Sequence, residues 1–420
     1  MATVLAPSNS PGTMQNETGS GLRYVARQPI LDLRGRLHAY ELLYRSGPET
    51  SFRGDGNLAT RTMLDNSVVF GLEKLAGGVT AFLNCTLESL TEALVDVLPP
   101  SMTVLEILED IEPTPALVQA CRRLKTAGFR LALDDFTWKQ GMEPLVELAD
   151  YIKVDFIQSG PEERKTLIKR LDTFAVALIA EKVETQSQYQ QARNEGFTLI
   201  QGYYFCRPVL IKTRRVPANR LSQIEILRVL HEDTIDLRTM SRLVKRDTSL
   251  TYRLLRLINS PLCAVRQEVC SVEGALIAVG EDVFRRIATL AITSEMNAGQ
   301  PEEMLRMAFV RGRFCELAAS PYGLNSKEQY LVGLLSLLPA MLRLPMDELT
   351  PALPLREEVV QALKGAGLPE GALLAWLVNH EHGAWEACDA LIKTRNLDQV
   401  QLLRCYAEAV SWAESALNFS

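Results

Sequence analysis

Apolar and polar positions along the chain change rhythm near its midpoint. From Tyr24 to about Lys212, short apolar runs recur: TAFLNC, MTVLEI, RLALDDF, DYIKVDF, FAVALIAE and LIQGYYF. Amphipathic stretches separate them. In TPALVQACRRLKTAG, Leu117, Ala120, Cys121 and Leu124 recur at helical spacing, and Gly128 stands where a helix stops. Strands alternating with helices predict a parallel sheet with helices outside it. At least six such runs in under 200 residues predict a compact α/β barrel, with an open doubly wound sheet as the alternative.

Polar residues sit near the ends of these runs. Asn84 follows AFL, Glu106 follows TVL, Asp134 follows LAL, Lys153 follows YI, Glu181 follows VALIA, and Gln201 starts QGYYF. Taken singly, each is explained by a solvated strand end or a helix cap. Six in succession on separate strands are not, because the C-terminal strand ends of a parallel barrel share one face.

After Arg214 the strand signals nearly vanish. DLRTMSRLVKRD places Leu237, Met240 and Val244 on one helical face, with Asp236 as N-cap. TSLTYRLLRLINSP turns Leu250, Leu254, Leu257 and Ile258 inward, and SVEGALIAVGEDVFRRIATLAI continues the pattern. This half is expected to be helical. The basic segment IKTRRVP, Ile211 to Pro217, reads as a solvated connector.

A length of 420 residues exceeds what one core usually serves and fits two domains. The formal net charge of -6 argues against a general electrostatic grip on nucleic acid. The eight cysteines lack the close spacing of a zinc or redox pair and read as buried thiols in a reducing compartment. Residues 1–20 are rich in Ser, Pro, Gly, Asn and Thr and read as a disordered tail, not a secretory signal. No apolar run reaches the ~20 residues of a membrane span. The expected location is therefore cytoplasmic.

The ordered motifs of the first half resemble those of the EAL domain, whose active members are cyclic di-GMP phosphodiesterases. RQPILDLRGRLHAYELLYR is similar to the opening strand pair, with Glu41-Leu42-Leu43 in place of Glu-Ala-Leu. FLNC, LEILED, LALDDF, IKVD, AEKVET and QGYYFCRP follow in the family's order. The resemblance implies a modified (β/α)8 barrel with one antiparallel strand, over residues 21–212. It implies Mg²⁺ or Mn²⁺, hard cations that take oxygen ligands. Residues matching Glu41, Asn84, Glu106 and Asp134 would hold the first ion, and Asp135 would serve a second. Lys153 and Glu181 would act in catalysis, by orienting or activating water. Gln28, Arg45 and Gln201 match positions associated with the nucleotide or the site wall.

The chain also departs from the family. Active members follow the aspartate pair with Phe-Gly-Thr-Gly, whereas Asp135 precedes Phe136-Thr137-Trp138-Lys139. Conformations open to glycine are costly there, and Lys139 is expected to bring positive charge beside the metal position. Lys182 stands where active members have glycine, and Leu108 replaces a threonine.

The second half, residues 213–420, resembles the HDOD domain, a helical relative of HD phosphohydrolases without their metal ligands; LVKRDTSLTYRLLRLINSP and SVEGALIAVG carry the likeness. His38, His231, His380 and His382 never precede an aspartate, so the HD doublet is absent. His380 and His382 read as an exposed helix end. The whole chain resembles EAL-HDOD signalling proteins. That implies a regulator with a low-activity or non-catalytic barrel, linked to cyclic di-GMP, which signals through the HDOD domain to a protein partner. The alternative is an active phosphodiesterase producing linear pGpG. A third reading is a purely structural polar network. EAL-like barrels often pair, which admits a homodimer, and the family points to motility, attachment and biofilm control.

Overall fold

The computed structural model describes residues 24–45, 72–206, 218–231, 237–245, 248–259, 265, 269–297, 299–350 and 355–417. The expected N-terminal tail, the connector Ile211–Pro217, the cap Asp236 and Cys263 lie outside the described residues.

The first half is a closed barrel, not an open sheet. Its strands are β1 (Tyr24–Asp32), β2 (Leu37–Arg45), β3 (Thr80–Cys85), β4 (Thr103–Ile107), β5 (Arg130–Leu133), β6 (Tyr151–Asp155), β7 (Ala177–Glu181) and β8 (Leu199–Gln201), joined in sequence order. β1 runs antiparallel to both β2 and β8, and every other pairing is parallel. All six apolar runs read from the sequence contain a strand. β4 and β6 are buried along their whole length. A strand covered on both faces needs no polar alternation, which is why these segments read as continuous apolar runs.

Helical crossovers wrap the barrel: α1 (Leu72–Leu75), α2 (Leu87–Thr91), α3 (Pro115–Thr126), α4 (Glu143–Val146), α5 (Pro161–Leu171) and α6 (Gln186–Glu195). α3 shows why they form. The Thr114 hydroxyl caps it by accepting from Leu117 N at 3.3 Å, and Pro115 occupies the first turn, where no amide hydrogen is needed. Leu117, Ala120, Cys121 and Leu124 are its buried face, as their spacing predicts. Each fully buried leucine there contributes about 1.5–3 kcal/mol. Gly128, at φ 92°, ends the turn.

The second half is helical: α7 (Ala218–Leu230), α8 (Leu237–Lys245), α9 (Thr248–Ile258), α10 (Val272–Val279), α11 (Glu281–Met296), α12 (Glu302–Ala319), α13 (Ser326–Leu335), α14 (Glu357–Leu363), α15 (Pro369–Glu381), α16 (Trp385–Arg395) and α17 (Gln399–Leu417), with short helical turns between. Leu250, Leu254 and Ile258 are fully buried along α9, and Leu257 is half-buried. α12 packs on α13, α15 and α17, and α15 packs against β1 of the barrel.

Two expectations are corrected. His380 is not at an exposed helix end. It is fully buried, stacked on Trp376 at 4.9 Å and met edge-on by Tyr406 at 4.7 Å, while His382 is exposed. Nor are all the described cysteines buried, for Cys270 is exposed and Cys206 half-buried.

Candidate functional site

The barrel interior is built in two layers. The lower layer is an apolar plug of Ile30, Ala39, Phe82, Val104, Ala132, Tyr151, Ile179 and Leu199. Side chains alternate along a strand, so the next inward position lies two residues on. On the parallel strands and β2 those positions are Glu41, Asn84, Glu106, Asp134, Lys153, Glu181 and Gln201; on antiparallel β1, counting backwards, it is Gln28. Every strand thus places one polar side chain in a single layer at the barrel mouth. Backbone pairing fixes the layer: Gln28 lies opposite Glu41, and Asn84 opposite Glu106. Asp134 N donates to Ile107 O at 3.0 Å, which holds the first residue beyond β5 in register.

Lys153 stands at the centre of this layer and is fully buried. Its ammonium lies 2.7 Å from Glu106, 2.8 Å from Asp134, 2.9 Å from Glu181 and 3.2 Å from Glu41. Burial alone would lower the Lys153 pKa, but these carboxylates outweigh it and hold the group well above its ordinary value. Four carboxylates around one ammonium leave excess negative charge. Burial, reinforced by the Glu41 carboxylate, pushes Glu106 well up; burial likewise pushes Glu181 well up, with Asp134 adding to it.

Amides complete the ring. Gln201 donates to Glu41 at 2.5 Å and to Gln28 at 3.2 Å, and Asn84 donates to Glu41 at 3.1 Å. Several oxygen acceptors remain buried without a hydrogen-bond donor: Asn84 Oδ1, Glu106 Oε2, Asp135 Oδ1, Glu181 Oε2 and Gln201 Oε1. Buried acceptors left unpaired are costly. A hard divalent cation takes such carboxylate and amide oxygens, so the donor set fits Mg²⁺ or Mn²⁺ in kind. Asp134, Asp135 and Glu181 each bring a carboxylate oxygen within 4.8 Å of the others.

The loop beyond Asp135 and the residue after Glu181 add a different feature. Asp135 and Lys182 both hold left-handed backbone, at φ 37° and 55°. The Lys182 ammonium lies 2.5 Å from Asp155 and 3.4 Å from Asp135. Burial opposes its charge, but the bond to Asp155 and the field of Asp135 hold its pKa above the ordinary value. The next residue, Val183, lies against Gly202, where a Cβ would collide with the Val183 backbone. Val183 N donates to Gln201 O at 3.1 Å and Tyr204 N donates to Val183 O at 3.0 Å, closing β8 onto this turn.

Each residue singled out from the sequence can now be placed. Glu41, Asn84, Glu106, Asp134, Lys153, Glu181, Gln28 and Gln201 converge in the layer described, and Asp135 flanks it. Arg45 ends β2, paired with Tyr24, and its side chain lies outside the described residues. The Lys139 ammonium donates to Glu109 O at 3.0 Å; the cation that meets Asp135 is Lys182. Asp155, read from the sequence only as part of IKVD, proves to be the close partner of Lys182. Trp138 packs edge-on against Phe136 at 6.0 Å, and the Arg170 guanidinium lies 3.8 Å over its ring. The altered loop is therefore anchored outward, and none of residues 136–140 has a positive φ.

Comparison with known proteins identifies the family. The EAL domain family matches residues 84–208 and the HDOD domain family residues 217–351. The barrel itself begins earlier, at Tyr24. The uncharacterized protein YuxH of Bacillus subtilis is 32% identical over 406 residues, covering 94% of this chain and 99% of its own. The cyclic di-GMP phosphodiesterase CdgJ of Vibrio cholerae is 31% identical over 398 residues, covering 93% of this chain and 92% of its own. Among solved structures, Klebsiella pneumoniae BlrP1 in complex with calcium and cyclic di-GMP is 24% identical, with a TM-score of 0.38 over 49% of this chain and 58% of that one. No helix among the described residues is long and apolar enough to cross a membrane. A polar ring at the mouth of an EAL-type barrel, a helical HDOD region after it and two relatives matched along nearly the whole chain place this protein in the family of EAL-HDOD proteins.

Proposed function

We propose that the barrel, residues 21–212, is a cyclic di-GMP-binding regulatory module with little turnover, and that the helical domain, residues 213–420, passes its state to a protein partner in the cytoplasm. Glu41, Asn84, Glu106 and Asp134 hold one divalent cation, Mg²⁺ or Mn²⁺. Gln28 and Gln201 face the nucleotide, and Arg45 is assigned to it only by its match to the family's position. A bound cation supplies charge stabilisation and an activated water. Lys153 and Glu181 would hold and orient a water within the ring.

The observation that carries the low-turnover reading is the Lys182 ammonium beside Asp135. Asp135 is the carboxylate assigned to the second cation. A fixed ammonium there neutralises it and repels a second dication. Binding through one cation and the nucleotide-facing side chains is retained, while an in-line cleavage loses one of the two charges that stabilise it.

A second reading, an active phosphodiesterase yielding linear pGpG, is favoured by the completeness of the polar layer and by the likeness to CdgJ. Calorimetric titration of the full chain with cyclic di-GMP and Mn²⁺, with chromatography of the products, separates the two. The first reading expects saturable binding with slow linearisation. Rapid metal-dependent turnover supports the second, and absence of binding contradicts both.

A further inference from the structure

Three hydrogen-bonded residues of the polar layer each have a near neighbour in sequence that grips the helical domain. Gln28, Glu41 and Gln201 are linked through the Gln201 amide. Beside Gln28, Arg27 turns to the opposite face of β1 and pairs with Glu414 of α17 at 2.5 Å. Beside Glu41, Tyr40 turns outward from β2, and its hydroxyl lies 2.8 Å from both oxygens of Glu303 on α12. Two residues beyond Gln201, the Tyr203 hydroxyl donates to Glu381 O at 2.6 Å, at the end of α15. Arg27 also lies 4.5 Å over the Tyr40 ring, so the first two grips are joined.

We propose that Arg27, Tyr40 and Tyr203 form a clamp that couples occupancy of the barrel mouth to the packing of α12, α15 and α17. This rests on the reading that the mouth binds cyclic di-GMP. One peptide bond separates Gln28 from Arg27 and Glu41 from Tyr40, so a shift of either strand on ligand binding is delivered to the outer face. Of the receiving contacts, Tyr40–Glu303 is buried, at 1% and 5% exposure, and Arg27–Glu414 is half-buried. A desolvated, charge-assisted contact such as Tyr40–Glu303 depends steeply on geometry. The clamp also pre-orders Glu41 and Gln28 in the free protein, which favours ligand binding. By linkage the effect is reciprocal: what the clamp adds to ligand affinity, the ligand adds to the clamp.

The test uses the full chain with Mn²⁺ and cyclic di-GMP. Hydrogen exchange is followed in residues 302–319 and 399–417, and affinity is measured for wild type and Tyr40→Phe, with Tyr203→Phe as the second variant should the first fail to fold. The clamp predicts that ligand raises protection in both segments and that loss of the hydroxyl weakens binding by about fivefold or more. Ligand protection confined to the barrel mouth, with affinities of wild type and variant within about twofold, overturns it. Should no ligand bind, the functional reading fails, and the clamp is judged without ligand. Glu41→Gln must then raise exchange in residues 302–319, and unchanged exchange there overturns the clamp.

Discussion

The Lys182 ammonium lies 3.4 Å from the Asp135 carboxylate, across the rim of the polar layer. Both residues take left-handed backbone to meet there. For a residue with a Cβ that conformation costs roughly 1–2 kcal/mol. The lysine is held in place by its closer bond to Asp155, whose own pKa is kept low despite partial burial by that bond and by the Ile157 and Gln158 amides. A cation belonging to the chain thus stands beside the carboxylate that the proposed function assigns to a second metal ion.

Lys153→Met removes an ammonium that touches four carboxylates of the layer. Taking one partner from a buried charge cluster costs about 3–5 kcal/mol. The variant is expected to lose stability by about that amount in chelator and to recover much of it in millimolar Mn²⁺. Denaturant unfolding under the two conditions checks this. Unfolding of the variant that Mn²⁺ leaves unchanged would show that the layer does not take a cation.

The metal effect should also depend on pH. Glu106 and Glu181 are pushed well above the ordinary value of 4.5. An acid with a raised folded pKa binds protons more tightly when folded. Its contribution to stability is therefore present below the unfolded value and is lost as pH rises toward the folded one. Cation binding reverses this by favouring the ionised carboxylates. The gain in melting temperature from Mn²⁺ should grow from about pH 5 to about pH 8. His231 and His380, both pulled down to about 4 by burial, affect the two curves alike and cancel in the difference. A gain that is flat across this range would contradict the account.

Trp138 anchors the loop after Asp135 through Phe136, Phe174 and Arg170. Trp138→Ala is expected to lower stability by about 3 kcal/mol, the lower end for a buried tryptophan since this one is only half-buried. It should also raise hydrogen exchange in residues 136–141 selectively. Uniform change across the barrel would argue that the ring is ordinary core, not an anchor for the loop.

Much of this was legible in the sequence because a short continuous apolar run, the mark of a strand covered on both faces, is a local signal. An apolar run that ends in Asn84, Glu106, Asp134, Lys153 or Glu181 announces both a buried strand and its mouth-facing end. What was not legible depends on paths through loops or on distant partners. Periodicity says nothing about where a loop lysine points, so charge beside the metal position was expected from Lys139, and the contact is made by Lys182. His380 gave no sign of burial because Tyr406 and Trp385 cover it from two other helices. Arg27 and Tyr40 read as ordinary strand residues. Their partners, Glu414 and Glu303, lie in the helical half of the chain.

The most direct test of the central claim is turnover of cyclic di-GMP with Mn²⁺ by wild type and by Lys182→Gly. Glycine adopts the left-handed turn at no steric cost and frees Asp135 for a cation. The account predicts slow linearisation by wild type and a rise in kcat of about tenfold or more in the variant, equal to about 1.4 kcal/mol or more of transition-state stabilisation. Rapid turnover by wild type that Lys182→Gly leaves unchanged would contradict it.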